Sequence, residues 1–173
     1  MSFKKISIIF VLFSVTIYAK NSIDVVAIIK SSFLKDVTVS LKQFKLSVKE
    51  IKILQNSAKV RLDSNLIRMY TVKKDKILEG YAVIIVKKVR TKKAAVLYIV
   101  DSHEKIKSIE ILAFREPSEY KPNKSWLSVF NDKTKEDNLF SKHGIPTISG
   151  ATLSARAIAD ASRIALSIIE IYK

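Results

Sequence analysis

A short stretch near the end of the chain, ISGATLSAR at residues 148–156, combines side-chain hydroxyls with residues that have little or no side chain. Gly150, one of only 3 glycines among 173 residues, lies there directly ahead of a long helical pattern. A helix N-terminus carries unpaired backbone N–H groups and the positive end of the helix dipole, so it favours phosphate. Gly150 and Ala151 would let such an anion approach the backbone closely. The stretch therefore has the composition of a phosphate-binding helix start.

An ordinary helix cap explains the same residues. In that interpretation Ser149 is the N-cap, whose side chain accepts a hydrogen bond from the first turn, and Gly150 is a turn residue. Ser149 and Thr152 both carry hydroxyls that can cap or hydrogen-bond. The residue types alone leave the cap and the phosphate site as open alternatives.

The helix predicted after this stretch is the clearest one in the sequence, because its apolar residues recur at helical spacing. One face is formed by Leu153, Ala157, Ala161, Ile164, Ala165, Ile168 and Tyr172, and the opposite face by Arg156, Asp160, Arg163, Ser167 and Glu170. Such a helix is expected to bury its apolar face against the rest of the domain.

Four β-branched and aromatic segments supply the predicted sheet: LIRMYTVK, ILEGYAVIIVKKV, AAVLYIVD and KIKSIEILAF. Short charged turns separate them, which favours an antiparallel meander. The central pair, 80–89 and 94–101, is nearly all apolar and is therefore predicted to be covered on both faces.

An amphipathic helix is predicted over 41–57, because Leu41, Phe44, Val48 and Ile51 recur at helical spacing with lysines between them. The predicted fold class is α+β: an antiparallel meander of about four or more strands packed with this N-terminal helix and the long C-terminal helix.

An irregular stretch, 115–148, holds all 3 prolines and the single tryptophan, Trp126. Irregular stretches of this length inside a domain are usually functional or disordered. Its many apolar residues argue against disorder, and we predict that it packs down with a short helix near 124–131.

The first 19 residues read as a secretory signal peptide: two lysines, an apolar run from Ile6 to Tyr18, and Ala19 at the end. An uncleaved membrane anchor is the alternative, although the run is short for a span of roughly 20 apolar residues. We therefore expect residues 20–173 to form a single exported domain, periplasmic or on the extracytoplasmic face of the cytoplasmic membrane.

The content of cysteine and histidine limits the chemistry. The absence of cysteine excludes thiol chemistry, iron–sulfur ligation and c-type haem attachment. With only His103 and His143 present, we also expect no metal site.

The net charge of +15 arises from scattered lysines rather than from a nucleic-acid-binding motif. We expect no nucleic-acid partner. Attraction to acidic proteins or to anionic lipid surfaces is the interpretation that this charge favours.

The tetrad Ser149-Gly150-Ala151-Thr152, followed by Leu153-Ser154, resembles the flavin-attachment sequence of the FMN-binding domain family. This family includes the C subunit of the Na⁺-translocating NADH:quinone reductase and the G subunit of the Rnf complex. LEGYAVIIV at 78–86 resembles the family's Gly-Tyr-containing strand, and 105–130 resembles its strand followed by a glutamate-bearing loop. The resemblance covers roughly residues 76–172.

The resemblance implies that FMN is held covalently, through a phosphoester bond to Thr152, after attachment by a flavin transferase. Arg156, one turn into the helix, would pair with the phosphate, or else lie on a solvated face. Trp126, Tyr120 and Tyr81 are candidates to cover the flavin ring, the alternative being plain core positions. Glu116 corresponds to the loop glutamate, with a surface ion pair to Arg115 as the alternative. The cofactor-binding residues implied are Ser149, Gly150, Ala151, Thr152, Leu153, Ser154, Arg156, Glu116, Trp126 and Tyr120.

The sequence departs from the family at Pro146, where an aspartate usually precedes the tetrad's serine by three residues.

The implied function is an exported electron-transfer module that relays electrons between a membrane-associated reductase and another extracytoplasmic carrier. A membrane reductase complex or an acidic redox protein would be its partner. A non-flavinylated assembly subunit of the same fold and a periplasmic flavin-dependent reductase subunit are the alternatives; no nucleophile or acid–base constellation or nicotinamide-binding pattern is visible.

Overall fold

The computed structural model describes residues 23–33 and 36–173. The predicted signal peptide, 1–19, lies outside the described residues. The helices and strands, in chain order, are α1 Val25–Ser32, β1 Thr38–Lys45, α2 Val48–Ala58, β2 Leu66–Lys74, β3 Ile77–Lys88, β4 Lys93–Asp101, β5 Ile106–Phe114, α3 Lys124–Leu127 and α4 Thr152–Tyr172.

The five strands form one antiparallel sheet in the order β1-β2-β3-β4-β5, so each strand pairs with its neighbour in sequence. This confirms the predicted α+β meander with an N-terminal helix and a long C-terminal helix. Irregularities in register interrupt β2 and β4, between Val72 and Lys73, Ala95 and Val96, and Ile99 and Val100.

Both faces of the central strands are buried, as the sequence predicts. On one face Val83, Ile85 and Tyr98 pack with α2 and α4 in the larger core cluster. On the other face Ile84 and Leu97 pack with Ile29 of α1 in a second cluster. The nearly continuous apolar sequences of β3 and β4 reflect this double coverage.

The predicted helix over 41–57 is wrong in its first part, because residues 38–45 form β1 at the edge of the sheet. The helix begins only at Val48, where Ser47 and Glu50 form a capping box: each side chain accepts a hydrogen bond from the other's backbone N–H. Leu41 and Phe44 therefore have helical spacing with Val48 by coincidence.

Helix α4 confirms the long C-terminal helix, and it packs mainly on β3 and α2. Two residues differ from their predicted faces. Leu153 is 44 % exposed, because it lies at the helix start beyond the core, whereas Ser167 is buried and its hydroxyl accepts a hydrogen bond from Ser57 of α2. The face that packs on the sheet and α2 is therefore wider than a single apolar stripe.

The segment between β5 and α4 is ordered by short turns, and the predicted helix near 124–131 is confirmed as α3 followed by a 3₁₀ turn at Ser128–Phe130. Leu127, Phe130, Leu139 and Ile145 from this segment enter the larger core cluster. Among the helices described, none combines the length and the apolar composition needed to cross a membrane.

A buried hydrogen bond ties α4 to the sheet. The hydroxyl of Tyr98 on β4 donates to the backbone carbonyl of Ile158 at 2.8 Å. Burial raises the pKa of this hydroxyl well above its ordinary value, so it stays a protonated donor.

Replacing Tyr98 by Phe removes this hydrogen bond while retaining the ring. We expect Tyr98→Phe to lower the free energy of unfolding by about 1 kcal/mol, measured by urea denaturation. Tyr70→Phe is the matched control in the second core cluster and is expected to change stability less. Equal losses in the two variants would contradict an anchoring role for the Tyr98 hydroxyl.

Candidate functional site

A cleft of about 320 Å³ opens where the start of α4 meets the β3–β4 turn and the segment that follows β5. It is lined by Val89, Arg90, Glu116, Tyr120, Gly150, Ala151, Thr152, Leu153 and Ser154. The fold thus brings together three parts of the chain that are distant in sequence, and most of the residues that the sequence analysis selected lie among them.

Within the described part of the chain, no side chain caps the start of α4. Ala151 occupies the N-cap position, and the first N–H to find a helical carbonyl is that of Ala155, at 3.1 Å from the oxygen of Ala151. Since the first residues of a helix have no intrahelical acceptors, the N–H groups of Thr152, Leu153 and Ser154 remain at the cleft. The alternative of Ser149 as N-cap is wrong, because Ser149 is exposed and lies outside both the cap position and the cleft lining.

Gly150 allows the chain to turn sharply into α4. Its φ of +74° lies in the left-handed region, which residues with a Cβ rarely adopt. A Cβ built on Gly150 would meet no heavy atom within 4 Å, so conformation and not space requires glycine here. The open space beside the backbone leaves room for a ligand at the helix start.

Glu116 holds the β3–β4 turn in place. Its Oε1 accepts backbone hydrogen bonds from Arg90 at 3.1 Å and from Thr91 and Lys92, both at 2.6 Å. These bonds lower the pKa of the carboxyl from its usual 4.5, and the bond from Lys92 has the largest effect. Burial acts in the opposite direction. The alternative of a surface ion pair with Arg115 is wrong, because the carboxylate is buried and bonded to this turn.

Arg90 is a cleft residue that the sequence analysis missed, together with Val89. Arg156, the cation predicted for this site, is exposed and does not line the cleft. The sequence did carry a signal for Arg90, since KKVRTKK joins two predicted strands and must form a tight basic turn. The proximity of Arg90 to α4 depends on the tertiary structure, so this local signal did not place Arg90 in the site.

The three aromatic candidates occupy different places. Tyr120 is half-buried and lines the cleft. Trp126 lies outside the lining: it packs edge-on against Phe130 with ring centroids 5.4 Å apart, and its Nε1 donates to the carbonyl of Pro146 at 3.1 Å. Tyr81 belongs to the core beneath α4.

The donor set of the cleft suits a phosphate. Three backbone N–H groups at the helix start, the positive end of a 21-residue helix and the guanidinium of Arg90 all favour an anion there. Thr152, a hydroxyl-bearing residue that is half-buried, lines the cleft at the same point. Exposed Leu153 and half-buried Tyr120 add apolar surface for a larger group attached to that phosphate.

The conformation of Gly150 can be tested by substitution. Gly150→Ala is expected to destabilise the protein by about 1 kcal/mol, because alanine is strained at positive φ. Gly150→Asn is expected to cost less, since asparagine tolerates this region better. Thermal unfolding measures both. Equal stability of the alanine variant and the parent protein would contradict the assigned turn.

Glu116 should make the turn sensitive to pH. Because its folded-state pKa lies below 4.5, the charged carboxylate contributes stability at neutral pH that is lost as the pH falls through that lowered value. Glu116→Gln is therefore expected to unfold at a lower temperature than the parent at neutral pH, with the difference shrinking well below pH 4.5.

Glu119→Gln is the matched control, since Glu119 is exposed in the same segment. It is expected to change the unfolding temperature little at either pH. A constant difference between Glu116→Gln and the parent across this pH range would show that the carboxylate charge does not hold the turn.

Comparison with known proteins gives one family match: residues 91–167 match the model of the FMN-binding domain. No curated protein and no solved structure matches the chain. The matched segment includes Glu116, Tyr120 and the whole of 149–156, whereas Arg90 precedes it by one residue. The resemblance inferred from the tetrad and from 105–130 is confirmed, the strand at 78–86 lies outside the matched residues, and FMN is the ligand that the match supports. Residues 91–167 are therefore similar to the FMN-binding domain family.

Proposed function

We propose that this protein is an exported electron-transfer module that carries FMN through a phosphoester bond to Thr152. It relays electrons between a membrane-associated reductase and another extracytoplasmic carrier. The observation that carries the proposal is the position of Thr152: this hydroxyl-bearing residue begins a helix without a side-chain cap and lines the cleft, within the segment that matches the FMN-binding domain.

Attachment needs a hydroxyl beside a phosphate position, and the start of α4 provides both. In the attachment step the Thr152 oxygen forms a bond to the phosphorus of a flavin nucleotide supplied by a flavin transferase. The bond from that phosphorus to the rest of the nucleotide breaks, and the hydroxyl proton leaves with the group released, which is a nucleoside monophosphate from a flavin dinucleotide or water from FMN itself. The net mass added is one FMN less water. The phosphodiester stays anionic, and the helix dipole stabilises it by about 0.3–1 kcal/mol.

The residues around Thr152 have separate roles in this proposal. The N–H groups of the first turn bind the phosphate oxygens, and Arg90 balances the remaining charge. Tyr120 and Leu153 shield part of the ring system from water. The bound FMN supplies the redox chemistry.

The cleft favours a carrier over a self-sufficient enzyme. Among the residues that line it, Glu116 is the only carboxylate, and its Oε1 is occupied by three backbone N–H groups. A lowered pKa keeps this carboxylate ionised at neutral pH, so it is poorly suited to donate a proton. The lining therefore offers no acid–base pair for a substrate.

Export and the choice of partners rest on other observations. The leader pattern of residues 1–19 supports export. The surplus of 31 basic over 16 acidic residues supports association with an acidic redox protein or a membrane reductase complex.

Pro146 favours a second candidate, an assembly subunit of the same fold without flavin. The usual aspartate of the family is replaced here, and the Pro146 carbonyl is held by the indole of Trp126. A transferase that recognises an aspartate ahead of the tetrad would find an uncharged, fixed segment instead. The two candidates differ in whether the chain acquires a flavin.

The flavin is tested by co-expressing the exported protein with a flavin transferase and measuring its intact mass and flavin absorbance after denaturation. The parent protein is expected to gain one FMN less water. Thr152→Ser is expected to keep the adduct because it keeps the hydroxyl, and Thr152→Ala is expected to lose it.

Far-UV circular dichroism and the thermal midpoint show whether each variant is folded. An adduct that persists in folded Thr152→Ala would contradict attachment at Thr152. An unmodified parent protein would instead support the assembly subunit.

A further inference from the structure

We propose that the β3–β4 turn and Arg115 form a docking surface for the acidic face of a redox partner protein. We call residues 87–93 the basic hairpin tip. The identity of the partner depends on the proposed electron-transfer function. The position of the surface is inferred from the charge, burial and shape of the described residues.

The basic hairpin tip has a high density of cations, with five in the seven residues KKVRTKK. Lys87 pairs with Asp63 at 3.5 Å. Arg90, Lys92 and Lys93 are exposed, and within 23–33 and 36–173 none of them forms an ion pair. Their charges are therefore available to a partner.

A groove of about 660 Å³ lies beside the tip and continues from the cofactor cleft. Arg90, Lys92 and Arg115 contribute three cations to its lining. The groove and the cleft share Arg90, Glu116 and Tyr120 as common walls. A carboxylate seated in this groove would lie directly beside the proposed flavin.

Glu116 offsets only one of the three positive charges that line this groove. Glu116 is 8 % exposed, and its carboxylate accepts hydrogen bonds from the backbone N–H groups of the tip. The same bonds fix the backbone of residues 90–92, while the side chains of those residues remain exposed. Glu116 is thus a positioning residue that keeps the cations at the mouth of the cleft.

The shape of the surface favours a protein over a membrane. A concave groove accepts aspartate and glutamate side chains that project from a partner's loop, whereas a lipid headgroup layer is broad and flat. Placing the attraction next to the cleft also shortens the path between the two redox groups. Lysines at the opposite end of α4, about 30 Å away, lack this advantage.

The test compares two variants that each lose three positive charges. The hairpin variant carries Lys92→Gln, Lys93→Gln and Arg115→Gln. The control variant carries Lys45→Gln, Lys49→Gln and Lys52→Gln, which are exposed near the far end of α4, where Tyr172 donates to Glu50. Arg90 is left unchanged because it also lines the cofactor cleft.

Binding of a fluorescent polyglutamate peptide is measured by anisotropy on protein without flavin. At low salt the hairpin variant is expected to bind about tenfold more weakly than the parent, and the control variant within about twofold. Raising the salt to about 0.2 M should weaken binding by the parent most. Unfolding temperatures confirm that both variants are folded.

Equal weakening in the two variants would overturn the proposal, because net charge rather than a surface would then determine binding. A hairpin variant that binds the peptide like the parent would also overturn it. Vesicles of phosphatidylglycerol and phosphatidylcholine provide the remaining comparison: loss of vesicle binding without loss of peptide binding would assign the surface to a membrane. Because the peptide assay needs no flavin, its result is independent of attachment at Thr152.

Discussion

The packing of α4 across one face of the sheet determines where its N-terminus lies, and the site depends on that position. Ile158, Ile164 and Ile168 are buried against the central strands, and the hydroxyl of Tyr98 holds the Ile158 carbonyl. Each fully buried side chain of this kind contributes about 1.5–3 kcal/mol. The helix start is therefore held by the core, while its own first N–H groups remain without a cap.

The site also requires a wall of the cleft opposite the start of α4, and Glu116 holds that wall in place. A single buried carboxylate joins the segment after β5 to three successive backbone N–H groups of the β3–β4 turn. This arrangement gives an acidic residue a structural role within a site suited to an anion. It also places Arg90 and the basic hairpin tip beside the cleft, where we propose that they reach a cofactor phosphate and a partner's carboxylates.

Local patterns in the sequence were sufficient for most of the fold. Strands β2 to β5 and α4 follow from alternating or helical apolar spacing, which burial enforces directly. Strand β1 was missed because an exposed edge strand has a weak alternation, although the capping box at Ser47 and Glu50 marked the true helix start. The tetrad indicated the site, but the roles of Arg90 and Glu116 depend on contacts between segments about 25 residues apart.

The most direct measurement of the central claim is tandem mass spectrometry of the tryptic peptide 143–156 from protein co-expressed with a flavin transferase. This peptide contains four hydroxyl side chains, Thr147, Ser149, Thr152 and Ser154. Attachment at the helix start predicts that fragment ions place one FMN less water on Thr152 and leave the other three unmodified. An adduct on any of those three, or a peptide without flavin, would contradict the account.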